Sequence, residues 1–340
     1  MKIIHITRKK RLSIFFFLLL IPLFSYLTLL NYAASPLGES AVPHTIDIPK
    51  GTSFSRIVDI LDEAGLVRHR LLFYLLAFSQ HAAGHIRAGE YELANSMTPL
   101  EIIKKMVRGE IKGYLITFPE DLTLKEFATR LASQKLVDEN TFMRLAADRE
   151  FLATLGIEAP SLEGFLYPDT YLFDRSMETR EIIRIMLSQF WRKVTPKMQN
   201  RARELGFTLS DVVTLASMIG KESGNTAEKP LISAVFHNRL KKGMKLQSDP
   251  TAVYDLINFK GTISRKDLQN NTPHNTYHIS GLPPGPIANP GIDSLQAALY
   301  PAAVDYLYFV SRKDGTHQFS ENYTAHNEAI SRYQSRKEKE

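Results

Sequence analysis

The chain has 340 residues, enough for two modest domains, and its 44% apolar and 23% charged composition supports a packed core. It contains no cysteine, which removes disulfides, thiolate catalysis and Cys-ligated zinc together. The net charge of +6 is scattered rather than striped and comes with no nucleic-acid-reading motif, so it suits an anionic membrane face and not nucleic acid.

Residues 1–11 carry Lys2, Arg8, Lys9, Lys10 and Arg11 without an acid and read as a basic cytoplasmic tail. An uncharged apolar run follows, LSIFFFLLLIPLFSYLTLL, long enough to cross a bilayer as a helix. Residues 12–34 are therefore expected to be a single transmembrane helix, with everything after it outside the cytoplasm. The small residues of YAAS (32–35) leave a cleaved signal peptide as the competing reading. The apolar run exceeds the usual ~7–15 residues of a signal peptide's core, which favours a retained anchor.

Residues 35–43 are a short polar linker. From residue 44 the pattern gives a strand, a turn at Pro49–Gly51, and a helix capped by Ser53 or Ser55 with Ile57, Ile60 and Leu61 inward. A helix over 71–78, a strand over 88–94 and a helix over 98–109 complete a module spanning 44–112. Its element order, and the stretch PKGTSFSRIVDIL, resemble a LysM-type carbohydrate-binding βααβ module. A generic spacer domain is the alternative, since a fold does not prove a ligand.

The remaining residues, 113–340, are expected to form a mixed α+β catalytic domain, so the fold class is α+β. A strand is predicted over 113–121, and a helix over 123–133 with a capping box at Thr123 and Glu126. Further helices are predicted over 140–147, over 179–197 and around NRARELG. Residues 275–291 read as a loop rich in Pro and Gly, and the tail from Asn322 as a helix ending in a solvated SRKEKE.

The chemistry concentrates near TLASMIGKESG (214–224). Thr208 and Asp211 form a capping box, and Leu215, Met218, Ile219 and Glu222 then fall on one helical face. A carboxyl on an apolar face is held protonated by burial and can hand a proton to a leaving oxygen. The plainer account is a helix-end residue bonded to backbone or to an arginine such as Arg239. Three further segments are dense in otherwise costly residues: EGFLYPDTYLF (163–173), VFHNRLKKGMKLQSDPTAVY (235–254) and NTYHISGLPPGPIANPG (275–291).

With these motifs in this order, the chain from about Phe118 onward resembles the endolytic murein transglycosylase (YceG-like) family. The resemblance places Glu222 as the catalytic acid/base. It implies cleavage of the MurNAc-β-1,4-GlcNAc bond inside nascent glycan strands, leaving 1,6-anhydroMurNAc ends and terminating polymerisation. It also implies peptidoglycan strands as substrate, peptidoglycan synthases as partners, and a cytoplasmic-membrane location with the catalytic domain outside. The family commonly has an acid two positions before the catalytic one, where this chain has Gly220. A slower reaction or a shifted pH optimum follows if that acid tunes its neighbour. A helical Gly there also costs about 0.8–1.0 kcal/mol relative to Ala.

Candidate substrate contacts are Gln247 and Asp249 before the Pro250 turn, Asn275 and Tyr277 as amide and ring for a glycan, and Asn289 in ANPG. Turn-building is the alternative for each. Glu163 and Asp169 are the candidates for a second carboxylate, with an Asx-turn the simpler reading of Asp169. His274 and His278 lack a third ligand, and Ser217 and Ser223 lack a patterned His and Asp, so neither metal binding nor serine catalysis is indicated. No cofactor is indicated. A true muramidase and a catalytically weak glycan-binding scaffold remain the alternative functions.

Overall fold

Residues 8–256, 259 and 261–334 are described by the computed structural model. The chain divides into two units. The first holds residues up to Tyr114 and Asp174–Ser176, and the second holds Leu115–Phe173 and Met177–Glu340. All strands occur in two-stranded pairs.

The first unit begins with α1 (Arg8–Ala34), which carries Pro22 inside it. Residues 1–7 of the expected basic tail, and the side chains of 8–16 and 18 in the expected span, lie outside the described residues. Among the described residues, no helix is long and apolar enough to cross a membrane. At the far end of α1, Tyr32 and Ala33 are buried in the unit's core.

β1 (His44–Ile48), α2 (Phe54–Glu63), α3 (Arg70–Ser79), β2 (Gly89–Leu93) and α4 (Pro99–Arg108) follow, giving the β-α-α-β-α order read from the sequence. β1 and β2 pair antiparallel, from His44 opposite Leu93 to Ile48 opposite Gly89. Ser53 is the residue that caps α2, accepting from the Arg56 N–H at 3.4 Å. Ile57, Val58 and Leu61 are buried, whereas Ile60 only packs at the edge. α4 starts with a capping box of Thr98 and Glu101 and Pro99 in its first turn, and it stops at left-handed Gly109.

β3 (Tyr114–Thr117), all but its first residue in the second unit, is shorter than the strand read over 113–121. Phe118 still donates to the Asp169 carbonyl at 2.9 Å, but Pro119 has no N–H with which to continue the ladder. α5 (Leu124–Ser133) carries the expected capping box of Thr123 and Glu126. α6 (Glu139–Ala146) and α7 (Arg149–Thr154) lead to β4 (Thr170–Phe173), the partner of β3. The helix expected over 179–197 is two helices, α8 (Thr179–Lys193) and α9 (Pro196–Glu204). Pro196 pushes Thr195 into extended backbone, where its hydroxyl caps α9 instead of extending α8.

α10 (Leu209–Glu222) is the axis of this unit. Every residue from Val212 to Gly220 is buried, because neighbours pack on all sides and not on one face. Those neighbours are α9, α11 (Lys229–Lys241), α12 (Asp249–Val253) and α13 (Ile292–Leu299). The described residues close with the hairpin β5 (Tyr308–Ser311) and β6 (His317–Ser320), then α14 (Tyr323–Gln334), and the expected SRKEKE end lies outside them.

Candidate active site

The capping box at Thr208 and Asp211 fixes the start of α10, with the Thr208 N–H on the Asp211 carboxylate at 2.8 Å and the reverse bond at 3.1 Å. Fourteen residues later the same helix ends on Glu222. Its carboxyl is half-buried and receives the Ser248 hydroxyl on Oε1. Burial pushes its pKa up to about 7, against the Ser248 hydrogen bond, with the Asp249 charge adding to the rise and Arg239 opposing it. Arg239, the alternative partner, points its guanidinium at the Leu307 and Leu246 carbonyls, both at 2.7 Å.

Glu222 lines a cavity of about 310 Å³ together with Arg239, Gln247, Asp249, Tyr277 and His317. Two loops build one side of it, and side chains stitch them together. The Ser248 N–H donates to Thr276 Oγ1 at 2.9 Å, Thr276 and Thr251 share a hydroxyl contact of 2.8 Å, and Gln247 N–H reaches the Thr276 carbonyl at 3.2 Å. The Tyr277 hydroxyl donates to Asp249 Oδ1 at 2.5 Å, which raises the Tyr277 pKa further beyond what burial does alone. Gln247 sits in left-handed backbone at φ 50°, a conformation that aims its side chain at the cavity only at a cost in strain.

Three of the five predicted contacts, Gln247, Asp249 and Tyr277, thus share the cavity with Glu222. Asn275 and Asn289 do not face it. Asn275 is fully buried; its amide donates to the Leu268 and Asn270 carbonyls at 3.1 and 2.6 Å and accepts from the Tyr277 N–H at 3.0 Å. Asn289 is equally buried, donating to the Leu122 carbonyl and Glu163 at 3.0 and 2.9 Å and accepting from Leu166 N–H at 3.0 Å. With both amide donors occupied and the side chains buried, both residues hold loops in place.

Glu163, a candidate second carboxylate, closes the same buried network by accepting from the Leu124 N–H and the Tyr254 hydroxyl, both at 2.9 Å. Burial pushes its pKa up to about 7, but it does not line the Glu222 cavity. Asp169 bonds the Thr170 N–H and the Gln189 amide at 2.8 and 2.6 Å. Ser217 is buried, donating to the Thr214 carbonyl and accepting from the Ile287 N–H. His274 pairs with Asp255 at 2.8 Å.

The opposite wall was missed by sequence reasoning. β5, β6 and α14 contribute Phe309, His317 and His326, and His317 is pinned by Glu228, which takes its backbone N–H at 2.9 Å and its Nδ1 at 2.7 Å. The signal was present: RKDGT (312–316), with an Asp-Gly turn, between two short aromatic-bearing runs is a hairpin pattern.

Fold and site together define a polar cavity lined by one carboxyl whose pKa burial raises, carried on a helical α+β scaffold. The model of the YceG-like family matches residues 46–332. A Bacillus subtilis protein named endolytic murein transglycosylase is 33% identical over 316 residues, covering 88% of this chain and 87% of that protein. A Streptococcus pneumoniae protein of the same name is 26% identical over 321 residues, and the match spans 58% of its length. The crystal structure of a yceG-like protein from Listeria monocytogenes superposes with a TM-score of 0.59 at 33% identity, covering 85% of this chain and 99% of that one. The chain belongs to the YceG-like family.

Proposed function

We propose that this protein is an endolytic peptidoglycan lytic transglycosylase in which Glu222 is the single acid/base. The observation that carries the reading is the Glu222 carboxyl itself, lining a polar cavity with its pKa near neutrality. The Ser248 hydroxyl occupies Oε1, so Oε2 is the oxygen that bears the transferable proton. That proton passes to the oxygen linking MurNAc to GlcNAc as the C1–O bond breaks. The resulting carboxylate then accepts the proton of the MurNAc C6 hydroxyl while O6 bonds to C1. No water is consumed, and Glu222 ends as it began, protonated.

Asp249 and Tyr277 supply a carboxylate and a ring with its hydroxyl engaged, suited to the developing positive charge at C1 and to the apolar face of a sugar. Asp249 also supports a second reading, a muramidase that uses it as base for an attacking water. The products separate the two: 1,6-anhydroMurNAc ends for transglycosylation, reducing ends for hydrolysis. Mass spectrometry of isolated and nascent glycan strands treated with the protein and with Glu222→Gln is the test. Anhydro ends made by the parent and absent from the variant are expected; cleavage that survives in the variant would refute the role of Glu222.

The names of the relatives support murein as the substrate. A retained membrane anchor is supported by Tyr32 and Ala33, whose removal by cleavage at YAAS would strip two side chains from the core of the first unit. An anchored enzyme at that membrane face would meet strands as peptidoglycan synthases extend them, and the element order of the 44–112 module is the support for reading it as a glycan-binding unit.

A further inference from the structure

The last turn of α10, which carries Glu222, contains a glycine whose missing side chain is replaced from elsewhere. A Cβ built on Gly220 would lie 2.5 Å from Cγ and 2.8 Å from Oδ2 of Asp121, and closer still to Oδ1. Asp121 lies a hundred residues away, in the loop between β3 and α5. Its backbone is left-handed at φ 63°, a strained choice for a residue other than glycine. The strain is held by ties on both sides: its N–H donates to the Asn289 carbonyl at 2.9 Å, and its carbonyl accepts Lys221 Nζ at 3.2 Å. Oδ1 is buried without a hydrogen-bond partner among the described residues.

We propose that Asp121 is a positioning residue for Glu222: its carboxyl fills the side-chain space of residue 220 while its carbonyl holds Lys221, so one residue clamps the two positions that precede the acid. The assignment rests on the reading of Glu222 as the acid/base. It explains why a glycine occupies a helical position where alanine is intrinsically favoured. It also gives Lys221 a role, since its side chain leaves the Glu222 face to bind the clamp.

The charged groups facing the Asp121 carboxyl are Glu120 on its own loop, Lys221 on α10 and Lys229 on α11, whose Nζ lies 3.4 Å from Glu120. Burial pushes the Asp121 carboxyl up to about 6, with Lys229 opposing, Glu120 adding and Lys221 opposing. The clamp therefore works through shape and backbone ties, with no ion pair to its carboxyl among the described residues.

The test is the titration of the Glu222 carboxyl carbon by NMR in the full chain in detergent, assigned by its absence from Glu222→Gln. Gly220→Ala is expected to drive the last turn off Asp121 and move the Glu222 midpoint by at least about half a unit. The same displacement should lower kcat about tenfold or more with KM unchanged. Adding Asp121→Gly to Gly220→Ala should return both readouts to those of Asp121→Gly alone, a coupling that independent sites do not show. Asp121→Asn, which keeps the shape, should titrate at Glu222 as the parent does.

A Glu222 midpoint unmoved by Gly220→Ala, or a double variant no better than Gly220→Ala, overturns the proposal. If Gly220→Ala does not fold, Asp121→Gly against Asp121→Asn decides it, since equal Glu222 midpoints in the two overturn it as well. The titration needs no substrate. A parent that cuts no glycan would sink the proposed function and leave the clamp to be judged on the midpoints.

Discussion

Replacing Glu222 by Gln should stabilise the second unit at alkaline pH and leave it nearly unchanged in acid. Burial raises the Glu222 pKa from an ordinary 4.5 to about 7. The folded chain therefore holds its proton more tightly than the unfolded chain does, and between these two values stability falls as pH rises. At about 1.36 kcal/mol per tenfold change in proton affinity, the rise to about 7 makes the ionised carboxylate cost about 3 kcal/mol once pH is well above ~7. Gln is never ionised and escapes that cost. The variant should exceed the parent by about 3 kcal/mol near pH ~8.5 and by little near pH ~4. Urea unfolding of the full chain in detergent reads this directly, because the only tryptophan, Trp191, lies on α8 in the same unit. A stability difference that is the same at both pH values would refute the reasoning, whatever its size.

Ser248→Ala removes the hydrogen bond that favours the Glu222 carboxylate. At about 1.5–3 kcal/mol for a bond to a charged group, the alkaline limb of the kcat/KM profile should move up by roughly one pH unit; an unmoved limb counts against Ser248 as the partner. Tyr277→Phe leaves the ring in the cavity but frees Asp249, and kcat/KM on isolated strands should fall about tenfold, the equivalent of one hydrogen bond of ~1.4 kcal/mol. Asn289→Ala strands the Leu166 N–H in the core and takes one of two donors from Glu163 Oε1, which keeps the Leu124 N–H. A loss of about 2 kcal/mol in the Trp191 unfolding transition is expected, and a loss below ~1 kcal/mol would show that water replaces the amide.

Local signals were legible in the sequence wherever the partners are local. The capping boxes at Thr123 and Thr208 join residues three apart, and each appears where the pattern places it; the third, at Thr98, carries the same spacing. The position of Glu222 was legible for a related reason, since the end of an apolar helix needs only helical spacing, whereas its role came from the family resemblance alone. Asn275 and Asn289 were not, because an Asn in a Pro- and Gly-rich loop looks alike whether it grips a ligand or a distant strand of its own chain. Asn289 answers to Leu122, Glu163 and Leu166, all more than a hundred residues away. α11 gave no periodic signal, since Ile232 to Phe236 are buried consecutively and even Lys229 and Arg239 are inside. A helix enclosed on all sides has no polar face to mark its period. Gly220 was visible as a residue, but its counterpart at Asp121 was not, because steric exclusion across a hundred residues leaves no trace in spacing.

The threonine and serine stitching between residues 247–251 and 275–277 makes a closed ring of the chain between them. Both ends of the ring are fixed at the cavity, and the bonds of Tyr254 to Glu163, His274 to Asp255 and Asn275 to Leu268 and Asn270 hold parts of its interior, so length can change only between those ties if Ser248 and Tyr277 are to stay where they are. For a flexible loop, doubling the length costs only about 0.6 kcal/mol of closure entropy. That segment is where this scaffold can absorb insertions, and so where a longer reach over an extended polymer can be added without touching the acid.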